Sequence, residues 1–384
     1  MPASLVALGA DDPDAVIAAL RRMLDGTGPA LALGGGPATG GDSVPDGTGV
    51  VVTTSGSTGV PKSVVLSRAA LDASATATAA RIGEGAWMLA LPSGYIAGLQ
   101  VALRSLRAGF DPVPLTGHFT PEAFRDATAR LPAGAPRYTS FVPAQLRTLL
   151  DDPDPATTAA LGSYAAVLVG GQALPKPLRE RAADAGIRIV RTYGSTETCG
   201  GCVYDGVPLD GVGVRIEDGE VQLTGPMLAD GYLGDARRTA DVFPTGADGT
   251  RWYRTGDAGS FENGVLAITG RLDNVIVSGG VNVSLDRVER AVREVPGFAG
   301  AVVVGVPDDR WGEASVVVVA RADADGGAAD LQRVRDAVAA AAGAPARPRE
   351  LVVVDRLPQL TSGKPDRRAI RETALIRATQ FHAS

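Results

Sequence analysis

The sequence predicts an α/β protein: a large N-terminal domain of several sheets, then a small α+β domain. Three observations predict it. Strand-like and helix-like segments alternate through the first half, as in layered α/β proteins. From about 206 to 270 the pattern changes to short strands separated by Gly and Asp turns, a β-rich region. Beyond Gly270-Arg271-Leu272-Asp273 the order becomes strand, helix, strand, strand, helix, strand, which describes a compact unit of its own. The boundary is placed at 272/273, giving domains 1–272 and 273–384. A chain of 384 residues is long enough to bury two cores.

The elements follow in order. Val50-Val51-Val52 and Ser63-Val64-Val65-Leu66 read as strands flanking a loop, and Ser67 N-caps a helix over 68–80. Met88-Leu89-Ala90-Leu91 and Ala165–Val169 read as strands. Helices are expected over 121–131 and 176–185, the second ending at Gly186, and Ile187–Val190 is another strand. In the C-terminal unit the strands are Val275–Val277, Val302–Val306, Val316–Ala320 and Leu351–Val354. Its helices are 284–295, with Val288, Ala291, Val292 and Val295 on one face, and the Ala-rich 328–342. Gly34–Gly41 and Ala322–Ala329 are low-complexity stretches expected in exposed loops.

Charge narrows the function. The 37 basic and 43 acidic residues are interspersed and give a net charge of −6, which argues against nucleic acid or an anionic membrane as principal partner. No apolar run approaches a membrane span and the start does not read as a signal peptide, so a cytoplasmic protein is expected. Only Lys62, Lys176 and Lys364 are lysines; every other cation is arginine. A lysine kept in such a chain marks a site that wants a compact ammonium.

Lys62 closes the run Thr53-Thr54-Ser55-Gly56-Ser57-Thr58-Gly59-Val60-Pro61, and Lys364 closes Thr361-Ser362-Gly363. Small residues let backbone N–H groups turn inward around an anion while hydroxyls add donors. A P-loop nucleotidase is excluded by spacing and by context, because the loop here runs into a strand rather than a helix. Cys199-Gly200-Gly201-Cys202 has the spacing of a redox or zinc pair, but His118 and His382 are the only histidines and neither has ligand spacing. The pair is therefore read as small packing residues beside a site.

The chain resembles the adenylate-forming acyl-CoA synthetase superfamily, through motifs that run in order along nearly its whole length. They are Thr54–Lys62, Leu91-Pro92-Ser93-Gly94-Tyr95-Ile96-Ala97-Gly98, Gly170-Gly171-Gln172, Tyr193-Gly194-Ser195-Thr196-Glu197, Tyr253-Arg254-Thr255-Gly256-Asp257, Gly270–Asp273, Trp311-Gly312-Glu313 and Gly363-Lys364. The resemblance implies ATP, Mg2+ and CoA as partners of a small carboxylic acid, with an acyl-adenylate as intermediate. It implies that Lys62 and the loop residues Thr54, Ser55, Gly56, Ser57, Thr58 and Gly59 hold phosphates, and that Glu197 with Thr54 binds the metal. Thr196 would donate to the α-phosphate. Tyr193 and Gly194 with Gly170, Gly171 and Gln172 would frame adenine, and Asp257 with Arg271 the ribose. Lys364 would bridge carboxylate and phosphate. Asp273 would be the hinge of a mobile C-terminal domain, and Gly279, Gly280 and Trp311 would meet CoA.

Two departures bear on the acid. Tyr95 stands where many members have histidine, and the phosphate loop arrives far earlier than in a typical member, as if the N-terminal region were truncated. With Gly201–Asp205, this short form resembles actinobacterial o-succinylbenzoate–CoA ligases of menaquinone synthesis. Tyr95, Gln100, Phe141 and Gln145 are the candidate acyl-pocket residues. Other readings stay open: another aryl- or acyl-CoA ligase, an enzyme loading a carrier protein, or a regulator that binds nucleotide without turnover. The oligomeric state also stays open, a homodimer among the options.

Overall fold

A computed structural model of the chain describes residues 3–9, 12–34, 43–55, 61–321, 327–360 and 364–381. Its first 271 residues build three sheets. The first has six strands, in the order Gly231–Tyr232, Pro61–Ser67, Thr48–Ser55, Ala30–Gly34, Ala3–Ala7, Ser43–Val44. Thr48–Ser55 runs parallel to Ala30–Gly34 and antiparallel to Pro61–Ser67. Val50, Val51, Val52, Val64, Val65 and Leu66 are all buried. These near-continuous apolar runs are what a strand covered on both faces requires.

The second sheet has seven strands and a parallel centre, Ala86–Leu89, Arg137–Phe141, Ala166–Val169 and Ile189–Ser195, with Gly200–Tyr204 added antiparallel at one side. Helices cover both sheets. Arg68–Ile82 starts where Ser67 Oγ accepts from the Ala70 N–H at 3.2 Å, and it buries Leu71, Ala75, Thr78 and Ile82 on one stripe. The helix Ile96–Arg107 packs beside it with Leu99, Val101, Ala102 and Leu103 buried. Gly98 is required there, because a Cβ would lie 2.2 Å from the Pro92 carbonyl oxygen. The third sheet is an antiparallel meander of Gly213–Glu217, Glu220–Thr224, Tyr253–Glu262 and Val265–Arg271, the β-rich region anticipated from the turns.

The chain changes sheet across Leu272–Asn274. Val275–Ser278 starts a separate five-stranded sheet with Val281–Ser284, Gly312–Ala320, Val302–Asp308 and Glu350–Val354. Leu285–Arg293 and Ala328–Ala342 pack on this sheet around Val288, Val292, Val317, Val334 and Val338. The sequence pattern shows Val275–Val277 as a lone strand; the structure pairs it into a hairpin through Gly279 and Gly280, both at positive φ, as a two-residue turn of this hand demands.

Candidate active site

The cleft is assembled from strand ends and the turns after them. Thr54 and Lys62 are cross-strand partners on Thr48–Ser55 and Pro61–Ser67, so the pairing of two buried strands fixes where Lys62 emerges. Ser55 ends the first strand, and Gly56, Ser57, Thr58 and Gly59 lie outside the described residues, as do Thr361, Ser362 and Gly363. Next to the loop, Thr53 Oγ1 and Ser63 Oγ share a buried hydrogen bond of 3.0 Å.

Strand Ile189–Ser195 delivers the next group. Its pairing with Gly200–Tyr204 shifts register between Tyr193 and Gly194, and the chain then enters the short 3-10 turn Thr196–Thr198. Gly194 is obligatory: a Cβ would sit 2.1 Å from the Gly200 carbonyl oxygen. Thr198 Oγ1 accepts from the Ser195 N–H at 2.8 Å and donates to the Gly200 carbonyl at 2.7 Å, so the turn is tied off at both ends. Thr196 and Glu197 are thereby held at the bottom of the cleft, both buried. Lys62 Nζ donates to Glu197 Oε1, and Tyr232 Oη donates to the same oxygen at 2.9 Å. Burial by itself would raise the Glu197 pKa. The Lys62 charge and its hydrogen bond, with the backbone and Tyr232, outweigh that and hold the carboxyl below its ordinary value. Tyr232 carries no motif signal. It arrives through the two-residue strand Gly231–Tyr232, paired with Val65 and Val64 on the strand that also bears Lys62.

A second cluster forms where Asp257 faces Arg271 across the meander. Tyr193 Oη donates to Asp257 Oδ2 at 2.6 Å, and Arg271 Nη1 donates to Asp257 Oδ1 at 3.2 Å. Arg271 also holds Asp273 through Nε and Nη2 at 3.0 and 3.1 Å, so one guanidinium joins the proposed ribose acid to the proposed hinge. Desolvation raises the Asp257 pKa, opposed by Tyr193 and Arg271, while the Arg271 hydrogen bond lowers that of Asp273.

Gly170, Gly171 and Gln172 follow strand Ala166–Val169, and Gly171 has φ +79°. From the C-terminal domain Lys364 reaches this turn: its Cε lies 3.3 Å from where a Gly171 Cβ would be. The Lys364 side chain stays open to solvent along part of its length. Desolvation in the cleft still lowers its pKa below the ordinary lysine value, and the negative charge of Glu197 opposes that fall. The two domains also meet where Arg290 Nη2 donates to the Ile268 carbonyl at 2.8 Å.

The remaining expected residues divide. Tyr95 N-caps the helix Ile96–Arg107 and is half-buried. Gln100, on that helix, is 1% exposed. Phe141 sits in the core, edge-on to Phe119 and Phe124. Gln145 is committed to backbone, its Oε1 accepting from the Val142 N–H and its Nε2 donating to the Ala90 carbonyl, both at 3.0 Å. Phe141 and Gln145 are thus engaged in packing and capping. Gly279 and Gly280 form the turn of the 275–284 hairpin, and Trp311, just before strand Gly312–Ala320, lies against Gly279 and is 48% exposed. Cys199 and Cys202 are free and buried, and burial pushes both thiols up, that of Cys202 to about 12. Among the described residues no group of three His, Cys, Asp or Glu stands close enough to hold a metal.

The residues present fit a magnesium nucleotide. The Thr54 hydroxyl is buried without a hydrogen-bond partner among the described residues, on the strand facing Lys62. Glu197 supplies a buried hard ligand and Lys62 a phosphate-sized charge. A Cβ on Gly170 would strike Thr192 Oγ1 at 2.3 Å, so backbone there stays bare.

The pattern of the AMP-binding enzyme family matches residues 28–233, and that of the AMP-binding enzyme C-terminal domain matches 287–364. The chain belongs to the AMP-binding enzymes. It is an AMP-forming acid–thiol ligase of this family. A probable 2-succinylbenzoate–CoA ligase of Mycobacterium tuberculosis is 42% identical over 369 residues, spanning 92% of this chain and 94% of that one. The 2-succinylbenzoate–CoA ligase of a Listeria monocytogenes strain is 32% identical, spanning 84% of this chain and 69% of its own. Among solved structures, o-succinylbenzoate CoA synthetase from Bacillus subtilis with its acyl-adenylate intermediate superposes with TM-score 0.70 at 27% identity, covering 86% of this chain and 70% of that one. The amide bond synthetase McbA from Marinactinospora thermotolerans gives 0.73 at 28%, covering 96% and 80%. No described helix is long and apolar enough to cross a membrane.

Proposed function

We propose that this AMP-binding enzyme activates 2-succinylbenzoate through its adenylate and passes the acyl group to CoA, a reaction of the cytoplasm that feeds menaquinone synthesis. The 42% identity to the mycobacterial ligase over nearly the full length of both chains supports the acid. One structural observation carries the chemistry: Lys364 of the C-terminal domain lies at Gly171, in the cleft that holds Lys62, Glu197 and Asp257.

In the first half-reaction a carboxylate oxygen attacks the α-phosphorus and the bond to pyrophosphate breaks. The reactants are all anions, so the chain must supply positive charge where they meet. Lys364 bridges the carboxylate and the α-phosphate, Thr196 donates to the α-phosphate, and Lys62 moves from Glu197 to the β and γ phosphates. Glu197 with Thr54 would hold Mg2+, which would spread phosphate charge when bound. Asp257 exchanges its hydrogen bond from Tyr193 for the two ribose hydroxyls, with Arg271 retained beside it. In the second half-reaction the CoA sulfur, its proton lost, attacks the acyl carbon and AMP leaves. The C-terminal domain turns about Asp273 for this step, bringing Gly279, Gly280 and Trp311 to the cleft in place of Lys364.

Incubation with ATP, Mg2+, CoA and 2-succinylbenzoate, followed by mass analysis, tests the reading. The thioester, AMP and pyrophosphate are expected. A thioester from other benzoates or fatty acids alone would reassign the acid. An amide formed from added amine, with CoA ignored, would place the chain beside the amide bond synthetase.

A further inference from the structure

Gln100 is a fully buried side chain with both polar ends unmet. It is 1% exposed, and neither its Oε1 nor its Nε2 has a hydrogen-bond partner among the described residues. A buried amide left bare at both ends costs about 1–3 kcal/mol for each lost group, so such a group calls for a functional explanation. Its position supplies one. Gln100 lies one turn into the helix that Tyr95 caps, and its Cγ is 3.3 Å from where a Cβ on Gly200 would be. The Gly200 carbonyl in turn presses on Gly194, inside Tyr193–Glu197. Only glycine backbone therefore separates the Gln100 side chain from the adenylate-forming segment. The Gln100 amide is thus an unengaged donor beside bare glycine backbone, which suits a second anionic group on the acid.

We propose that Gln100 determines acid specificity, its Nε2 donating to the carboxylate of the substrate that is not activated. The inference rests on the 2-succinylbenzoate reading. It explains why an amide is placed there: a glutamine takes a carboxylate as acceptor without itself ionising, whereas an apolar residue of the same size would leave the buried anion bare.

The test compares two acids with one skeleton, 2-succinylbenzoate and 4-oxo-4-phenylbutanoate, the second lacking the ring carboxylate. Gln100→Met keeps the volume and removes the donor. A hydrogen bond to a charged group corresponds to about a 10- to 150-fold change in binding. KM for 2-succinylbenzoate is expected to rise by that factor with kcat within a few-fold, while KM for 4-oxo-4-phenylbutanoate stays or falls. Gln100→Glu, which preserves a polar side chain but places an anion against an anion, is expected to discriminate in the same direction and more strongly. Thermal unfolding of each variant controls for folding. If either folded variant alters the two acids equally, or neither acid is affected, the assignment is overturned and Gln100 is a structural residue. A wild-type enzyme inert toward 2-succinylbenzoate but active on a monocarboxylic acid overturns the substrate reading as well, so the two failures are told apart.

Discussion

Glu197 is held ionised in a buried position by Lys62 and Tyr232, both on the same oxygen. Removing one partner of such a pair leaves a bare buried charge, which costs about 3–5 kcal/mol. Lys62 occupies Glu197 Oε1, so a cation on that carboxylate would compete with the lysine. Lys62→Met is therefore expected to lower the Tm, and free Mn2+ is expected to restore part of the loss in the variant while leaving the wild type nearly unmoved. An equal Mn2+ shift in both proteins, read by thermal unfolding without nucleotide, would show that Lys62 does not guard the site. Lys364 gives a pH prediction. Its pKa is lowered in the cleft, so the bridging ammonium exists below that value and is lost as pH rises through it. The adenylation rate should fall on an alkaline limb that begins below the ordinary lysine range of about 10.4. In Lys364→Arg any remaining activity should lack that limb, because guanidinium stays charged; a limb unchanged in the arginine variant would assign the titration elsewhere.

At the level of elements, motif order and apolar runs made much of the architecture legible: the strands around the phosphate loop, the parallel strands of the second sheet, the turn-rich meander and the C-terminal unit. The misses have physical reasons. Ile96–Arg107 does carry an apolar stripe, Ile96, Leu99, Leu103 and Leu106, but it follows the motif over 91–98 so closely that the motif masks it. Pro13–Leu24 did carry a signal, Asp12 accepting from the Ala15 N–H with Pro13 opening the helix, and was passed over. Tyr232 could not be found, because only strand pairing brings it to Glu197. The backbone partners of Gln145 and the core partners of Phe141 are likewise invisible in one sequence. Gly279 and Gly280 show how a motif residue answers to structure first. Both take positive φ in the hairpin turn; a Cβ on Gly279 would lie 2.8 Å from Trp311 Cε3, while one on Gly280 meets nothing. Strain of this kind costs about 1–3 kcal/mol. Gly279→Ala should displace Trp311, quench or shift its emission and raise the KM for CoA more than Gly280→Ala does. Equal effects of the two would mean that the indole contact is irrelevant to the second half-reaction.

Across the whole molecule, the two domains share one cleft, and a single turn of the large domain, Gly170–Gln172, receives the lysine of the small one. Arg271 ties that geometry together, since it holds Asp257 on one side and Asp273 at the inter-domain connection on the other. With Lys364 at Gly171 the arrangement suits adenylate formation, and the account requires the domain to leave it for thioester formation. Loss of one positioned charge at a phosphoryl centre typically costs about 100- to 1,000-fold in rate. Separate assay of the two half-reactions of Lys364→Ala tests this most directly. Pyrophosphate exchange with 2-succinylbenzoate should fall by at least that factor, while chemically prepared acyl-adenylate and CoA should give thioester at close to the wild-type rate. Equal slowing of both half-reactions would contradict the account, leaving Lys364 a structural residue and the cleft without its bridging charge.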